Sequence, residues 1–145
     1  MSPKASINVR RIAIPGMLEP PGATWSNCLV VGREVVMSGV TARGADGRAI
    51  GGDDAALQAR AIFERLGAIL ADAGGGMRNI YKLVIYVTDA AFKDDVNAAR
   101  AAAFERVFPA STFVVVSGFA FPGLHVEIDA CANLDVDLHA AETAA

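Results

Sequence analysis

Basic residues are scarce in this chain of 145 residues, which has 13 lysines and arginines against 16 acidic residues and a formal net charge of −3. Nucleic-acid binders usually carry a positive surface that neutralises phosphates, so we expect no nucleic-acid partner. No apolar run reaches the roughly 20 residues of a membrane-spanning helix, and the N-terminal residues lack the apolar segment of a secretory signal. The sequence therefore predicts a soluble cytoplasmic protein with no membrane partner.

Cysteine and histidine are also rare, with two residues of each. Cys28 and Cys131 are far apart in the sequence and form no CxxC motif. They could pair in principle, but we expect free thiols in a reducing compartment. His125 and His139 are not spaced as metal ligands, and no cysteine or carboxylate cluster accompanies them. The sequence therefore predicts no metal site.

The hydrophobic fraction is high, at 53%, and charged residues make up 20%. This composition excludes a disordered chain, and the length suits one domain with a sizeable core. We expect a single domain over residues 1–145, with its core at about 7–135 and a disordered C-terminal tail.

Hydrophobic periodicity predicts six strands and two helices. Apolar runs on either side of Gly32-Arg33 predict a hairpin of strands 28–31 and 34–38. The first helix begins after Asp53 or Asp54 and ends at the glycines 74–76. The second helix covers about 93–107, and the other strands cover 7–14, 81–87, 112–116 and 124–135. This order indicates an α+β domain with two helices on one face of a mixed sheet.

The strands predicted at 81–87 and 112–116 are apolar at nearly every position. Such strands are usually buried on both faces, whereas two helices cover only one face of a sheet. We therefore expect another copy of the chain to cover the second face.

Four short motifs occur in order along most of the chain. They are Trp25-Ser26-Asn27-Cys28; Val36-Met37-Ser38-Gly39, with Asp46-Gly47 and Gln58 downstream; Val96-Asn97 with Phe104; and Pro109-Ala110-Ser111-Thr112, followed by Val126-Glu127-Ile128-Asp129-Ala130. Together they span about residues 12–135 and resemble the Rid (YjgF/YER057c) family of reactive intermediate deaminases. The resemblance implies a chorismate-mutase-like fold and a homotrimer whose sheets face inward. It also implies three small-molecule clefts between subunits, and hydrolysis of enamines or imines to ketones and ammonia without a metal or organic cofactor.

One position departs from the family pattern. Deaminating members usually read Pro-Ala-Arg-Ser, and their arginine binds the substrate carboxylate as a bidentate fork. Ser111 occupies that position here and carries no charge, so we expect an atypical substrate. Arg43, in the loop after Ser38-Gly39, could supply the cation from a new place, although an exposed loop charge is the simpler interpretation.

The resemblance also assigns roles to individual residues. Glu127 matches the family's water-binding glutamate and would orient a water and carry a proton, although from the strand pattern alone it could be an ordinary outward carboxylate. Trp25 replaces a family tyrosine and is either a cleft wall or a core anchor. The candidate substrate-binding residues are Trp25, Ser38, Gly39, Arg43, Asn97, Ser111 and Thr112.

Two functions follow from this interpretation. The first is a small-molecule hydrolase that deaminates an enamine or imine with a water oriented by Glu127. The alternative is a non-catalytic metabolite-binding or regulatory trimer, which the missing arginine favours. Ribonuclease activity is disfavoured by the acidic net charge and by the lack of a histidine pair.

Overall fold

The computed structural model describes residues 4–14, 16–17 and 19–144. In these residues the chain forms seven strands and two α-helices, and no helix is long and apolar enough to cross a membrane. The strands are β1 Val9–Arg11, β2 Cys28–Val31, β3 Glu34–Met37, β4 Val40–Thr41, β5 Ile80–Val87, β6 Ala110–Val115 and β7 Val126–Asn133. Helix α1 is Ala55–Ala73, between β4 and β5, and helix α2 is Lys93–Ala103, between β5 and β6.

All seven strands form one mixed sheet with the order β1-β2-β3-β7-β5-β6, and β4 also pairs with β7. Strands β5 and β6 are parallel, since α2 connects them, and every other pair is antiparallel. Strand β7 is central because it pairs with β3 and β4 on one side and with β5 on the other. The predicted α+β architecture with a mixed sheet and two helices is confirmed.

Helix α1 has the predicted caps and buried stripe. The Asp54 side chain accepts a hydrogen bond from the Leu57 N–H, and Gly74 ends the helix at φ 97°, a left-handed conformation that favours glycine. Ile62, Leu66 and Ile69 are fully buried. They recur at helical spacing, so one face of α1 packs on the sheet, where it contacts β7 and β4.

A fully buried glutamine ties α1 to two loops. Gln58 Nε2 donates to the carbonyl oxygens of Gly52 and Gly123, both at 2.8 Å. Its Oε1 accepts from the His125 N–H, also at 2.8 Å. Buried polar groups are expensive to leave without partners. Gln58 therefore fixes both the loop before α1 and the loop 117–125 that leads into β7.

The sheet face opposite the helices is open in the single chain. It carries Val36, Tyr81 and Val114, which are 52%, 38% and 38% exposed. Strand β6 is exposed at every position except Phe113, because it lies at the edge of the sheet. The isolated chain covers only the helix side of the sheet, so burial of the second face of 81–87 and 112–116 by another copy stays a prediction.

Several predicted boundaries are wrong. Strand β1 is limited to Val9–Arg11, and α2 ends at Ala103, before the predicted end at about residue 107. Phe104 is extended, with φ −124° and ψ 136°, and its ring packs edge-on against Phe63 with centroids 6.0 Å apart. This core contact outweighs continuation of the helix. Strand β6 begins two residues early, at Ala110, and the two-residue strand β4 was not predicted.

Replacing Gln58 with leucine should destabilise the fold. The variant Gln58→Leu would leave two carbonyl oxygens and one N–H without their buried partner, and we expect a loss of about 3 kcal/mol of unfolding free energy. Urea unfolding at one fixed protein concentration measures it. The control Arg60→Met changes an exposed position two residues later on α1 and should cost below about 0.5 kcal/mol. Equal effects of the two variants would contradict the role given to Gln58.

Candidate functional site

A cleft of about 480 Å³ lies where the β3–β4 junction meets β7. Its walls come from the segment before β2, the β3–β4 junction with the loop after it, helix α1 and the loop 117–125. Five predicted site residues line it: Trp25, Ser38, Gly39, Arg43 and Glu127. The structure thus brings together residues that are up to about a hundred positions apart in the sequence.

Glu127 lies on β7 between β4 and β5. It pairs in register with Thr41 on β4 and with Tyr86 on β5. The side chain is half-buried, and its pKa is raised above 4.5, first by that burial and then by the nearby charge of Asp129. A carboxyl group with a raised pKa is a better proton acceptor than an ordinary surface glutamate, which suits it to general acid–base chemistry.

Gly39 leaves room for the Glu127 carboxylate. A Cβ atom at residue 39 would overlap the Glu127 Oε1 and would come within 3.0 Å of the Asp129 Oδ1. Only glycine allows the carboxylate to lie directly against the backbone of the β3–β4 junction. The Ser-Gly pair therefore has a role beyond that of a turn.

Ser38 holds the loop that carries Trp25. The Ser38 hydroxyl donates to the Ser26 carbonyl oxygen at 2.7 Å, and the Ser38 N–H donates to the Asn27 carbonyl oxygen at 2.9 Å. The Trp25 Nε1–H donates to the Asn27 Oδ1 at 3.2 Å. Trp25 remains 46% exposed, so it forms a cleft wall and not a core anchor.

Two arginines line the same cleft. The Arg43 guanidinium carbon lies 3.5 Å from the centre of the Phe121 ring, a cation–π contact. Arg65, from α1, donates through Nη1 to the Thr41 carbonyl oxygen, and burial lowers its pKa. Arg65 was not among the predicted site residues. Its signal in the sequence is a charged residue inside the apolar stripe of α1.

The remaining predicted site residues lie at the β6 edge of the sheet. Arg100 of α2 donates to the Ser111 hydroxyl at 2.8 Å through Nη1 and to the Asn97 Oδ1 at 2.7 Å through Nη2. The Thr112 hydroxyl accepts from Lys82 Nζ at 2.8 Å. None of these residues lines the Glu127 cleft.

The two groups are well separated within one chain. Glu127 pairs with Tyr86, Tyr86 pairs with Val114, and Ser111 is three residues from Val114 along β6. Two strand spacings of about 4.8 Å and three residues of about 3.3 Å place the backbones of Glu127 and Ser111 about 14 Å apart. A small substrate group at Glu127 therefore does not reach Ser111 of the same chain.

Both histidines lie outside the cleft. His125 Nε2 is 2.6 Å from Asp53 Oδ1, and its Nδ1 is 3.3 Å from the Thr88 hydroxyl. His139 lies in a short 3₁₀ turn near the C-terminus. Over the described part of the chain, no three histidine, cysteine or carboxylate side chains are grouped as metal ligands would be.

Comparison with known proteins identifies the family. The model of the family described as Endoribonuclease L-PSP matches residues 17–134. A protein of unknown function from Pseudomonas aeruginosa is 46% identical, with a TM-score of 0.86 over 94% of this chain and 99% of that one. A YjgF/YER057c/UK114 family member from Mycobacterium tuberculosis is 29% identical, with a TM-score of 0.74 over 87% of this chain and 99% of that one.

A third structure agrees with these two. A Rid family protein from Yersinia pestis is 26% identical, with a TM-score of 0.79 over 87% of this chain and 99% of that one. The matched region includes the β6 edge and all of the residues that line the cleft around Glu127 except Gly16. The chain therefore belongs to the Rid (YjgF/YER057c/UK114) family, as its four sequence motifs predicted.

Proposed function

We propose that this protein is a small-molecule hydrolase that deaminates an enamine or imine. The observation that carries the proposal is Glu127: a half-buried carboxyl group with a raised pKa, held against Gly39 in an open cleft. An aromatic wall formed by Trp25 lies in the same cleft and can pack against a flat, conjugated substrate.

The reaction needs one water and one proton carrier. The Glu127 carboxylate accepts a proton from water while the water oxygen attacks the imine carbon, and the C=N double bond becomes a single bond. That proton passes to the nitrogen and gives a carbinolamine. Glu127 then moves the carbinol O–H proton to the nitrogen, which leaves as ammonia as the carbinol oxygen forms the C=O bond. The sum is imine plus water to ketone plus ammonia, with no oxidant and no cofactor. An enamine first takes a proton at carbon and gives up one from nitrogen, which makes it the imine.

We further propose that the cleft is completed by a neighbouring copy in a homotrimer. Three observations support this assembly: the exposed Tyr81 and Val114 on the open face of the sheet, the 52% exposure of Val36 on the same face, and the two separated groups of site residues. In this arrangement Asn97, Ser111 and Thr112 of one copy would approach Glu127 of the next, as the family resemblance implies.

The second candidate is a metabolite-binding or regulatory trimer without turnover. The observation in its favour is Ser111, which cannot hold a carboxylate as the family's arginine does. Glu127 and Gly39 would then shape a binding cleft and do no chemistry. Ammonia release from a freshly generated imine separates this candidate from the hydrolase.

The family description also includes endoribonuclease activity. Neither His125 nor His139 lines the cleft, so a histidine acid–base pair for RNA cleavage is not available there. We therefore do not extend the ribonuclease function to this chain.

We propose a cytoplasmic location. Cys28 is buried, Cys131 is exposed and both are free thiols, which suits a reducing compartment.

Glu127→Gln should abolish most of the hydrolase activity. Glutamine keeps the size of the side chain but cannot accept the proton, so we expect kcat to fall roughly 10²–10⁴-fold on an imine that yields ammonia. The melting temperature at neutral pH should not fall, because the raised pKa means that folding disfavours the charged form of Glu127. The control Glu64→Gln makes the same change at an exposed position on α1. Full activity of Glu127→Gln would contradict the mechanism.

Asp129→Asn should shift the pH dependence. Hydrolysis needs deprotonated Glu127, so kcat/KM should fall as the pH is lowered through the raised pKa of that group. Since the charge of Asp129 is one cause of the raised pKa, its removal should move the acid limb of the profile to lower pH. Steady-state ammonia release between pH 4.5 and 8 measures this shift. If the acid limb of the Asp129→Asn profile lies at the same pH as in wild type, a group other than Glu127 controls that limb.

Sedimentation equilibrium should give about three times the chain mass of 15.1 kDa. Val36→Glu places a charge on the open face of the sheet and should shift the protein toward the monomer, because burying an unpaired carboxylate is costly. The matched control is Leu57→Glu, an exposed apolar residue on the helix side, which is 42% exposed. A wild-type monomer at micromolar concentration would contradict the proposed assembly.

A further inference from the structure

The Glu127 cleft contains two arginines without a carboxylate partner. Arg43 and Arg65 both line it, and in the described residues neither lies within ion-pair distance of an acidic side chain. Glu19, another carboxylate of the cleft, is already paired with Arg11 and accepts the Asn27 N–H at 2.6 Å. The two positive charges in this concave, partly buried site thus have no counter-ion among the described residues of the chain.

Glu127 does not fill that role. If either arginine neutralised its carboxylate, the pKa of Glu127 would be lowered. Burial and Asp129 raise it instead. Glu127 also forms no ion pair with either arginine in the described residues, so both arginines are open to an anion from outside the chain.

The contacts of Arg43 fix its guanidinium and leave hydrogen-bond donors free. The Phe121 ring contacts the face of the Arg43 guanidinium, with the ring centre 3.5 Å from the guanidinium carbon. The N–H donors of Arg43 point outward in the plane of the guanidinium. Its Nε is buried and has no hydrogen-bond partner. Phe121 lies on the loop 117–125 that Gln58 ties to α1. The position of Arg43 is therefore set by the fold.

Arg65 and Arg43 both donate hydrogen bonds to Thr41. The Arg65 Nη1 donates to the Thr41 carbonyl oxygen, and the backbone N–H of Arg43 donates to the Thr41 hydroxyl at 3.3 Å. Both arginines are thus tied to β4, the strand on which Thr41 pairs with Glu127. Burial lowers the pKa of Arg65, and an anion bound beside it would offset that cost.

Arg100 is the competing cation. It lies beside Ser111, but its two Nη atoms already donate to the Ser111 hydroxyl and to the Asn97 side chain. Arg43 has a buried donor without a partner, and Arg65 has one backbone partner. The arginines of the cleft are therefore better placed than Arg100 to take an anionic ligand.

We propose that Arg43 and Arg65 form an anion-binding subsite that holds a carboxylate of the substrate in the Glu127 cleft. This inference rests on the proposed function and deepens it, because it makes the substrate an acidic enamine or imine. The charge missing at Ser111 is supplied from the loop after β4 and from α1 of the chain that also provides Glu127. Arginine forks match carboxylate geometry and also that of phosphate, so the test separates these two anions.

Binding can be measured without turnover. Trp25 is the only tryptophan of the chain and lines the cleft, so its fluorescence reports on occupancy. The probes are pyruvate, its neutral analogue methyl pyruvate, and inorganic phosphate, with calorimetry as a second readout. The variants are Arg43→Met and Arg65→Met, and their matched controls are Arg48→Met and Arg60→Met, which change exposed arginines on the same two elements. Arg65→Lys serves if Arg65→Met does not fold.

We expect each cleft variant to weaken pyruvate binding by roughly tenfold or more, the loss typical of a charged hydrogen bond. Arg65→Lys should give a smaller loss, because lysine keeps the charge and loses the fork. The cleft variants should bind methyl pyruvate as wild type does. The control variants Arg48→Met and Arg60→Met should bind pyruvate as wild type does. The proposal is overturned if wild type does not bind pyruvate at millimolar concentration, if the cleft variants bind it normally, if Arg100→Met causes the larger loss, or if phosphate binds more tightly than pyruvate.

The same experiment separates the subsite from the hydrolase. Glu127→Gln should still bind pyruvate, because the subsite does not use that carboxylate. Arginine-dependent binding without hydrolysis of any imine would support the subsite and reject the proposed function. The opposite result would support the function and reject the subsite: imine hydrolysis depends on Glu127, but substitution of Arg43 or Arg65 leaves pyruvate binding unchanged.

Discussion

The alternation of side chains along β7 is the constraint on which the rest of the structure depends. Its even-numbered residues face α1 and are buried, namely Val126, Ile128, Ala130 and Ala132. Its odd-numbered residues, which include Glu127 and Asp129, face the other side. A slip of one residue would turn both carboxylates into the apolar layer under α1, so hydrophobic burial fixes the register. That register places Glu127 opposite Thr41 and beside Gly39.

Stability and the cleft are connected through one side chain. Gln58 lies in the core, where its hydrogen bonds hold the loop 117–125. That loop carries Phe121, which packs on the Arg43 guanidinium. A contact that belongs to the fold thus positions a charged group of the cleft. Side chains placed in this way lose little further freedom when a ligand binds, which favours affinity.

The cleft also contains electrostatic features that do not stabilise the folded chain. Burial and Asp129 disfavour the charged form of Glu127, and Arg43 and Arg65 lack a carboxylate partner in the described residues. Stable proteins usually pair or expose such groups. Their concentration around one cavity is typical of a site that is completed by a ligand. Ser111 and Arg100, at the other edge of the sheet, form a separate polar group that this cleft does not include.

The sequence by itself determined α1, the hairpin and the two faces of β7, because caps, turns and periodicity act over a few residues. Its motifs also identified the family and named Glu127. Only the tertiary structure decided that α2 ends at Ala103, where the packing of Phe104 in the core overrides helical periodicity. It likewise decided which side chains meet. Glu127 and Gly39 are 88 residues apart, and Arg65 reaches Thr41 across 24 residues. No local pattern encodes these contacts, since they depend on strand pairing between distant segments and on the packing of α1 against the sheet.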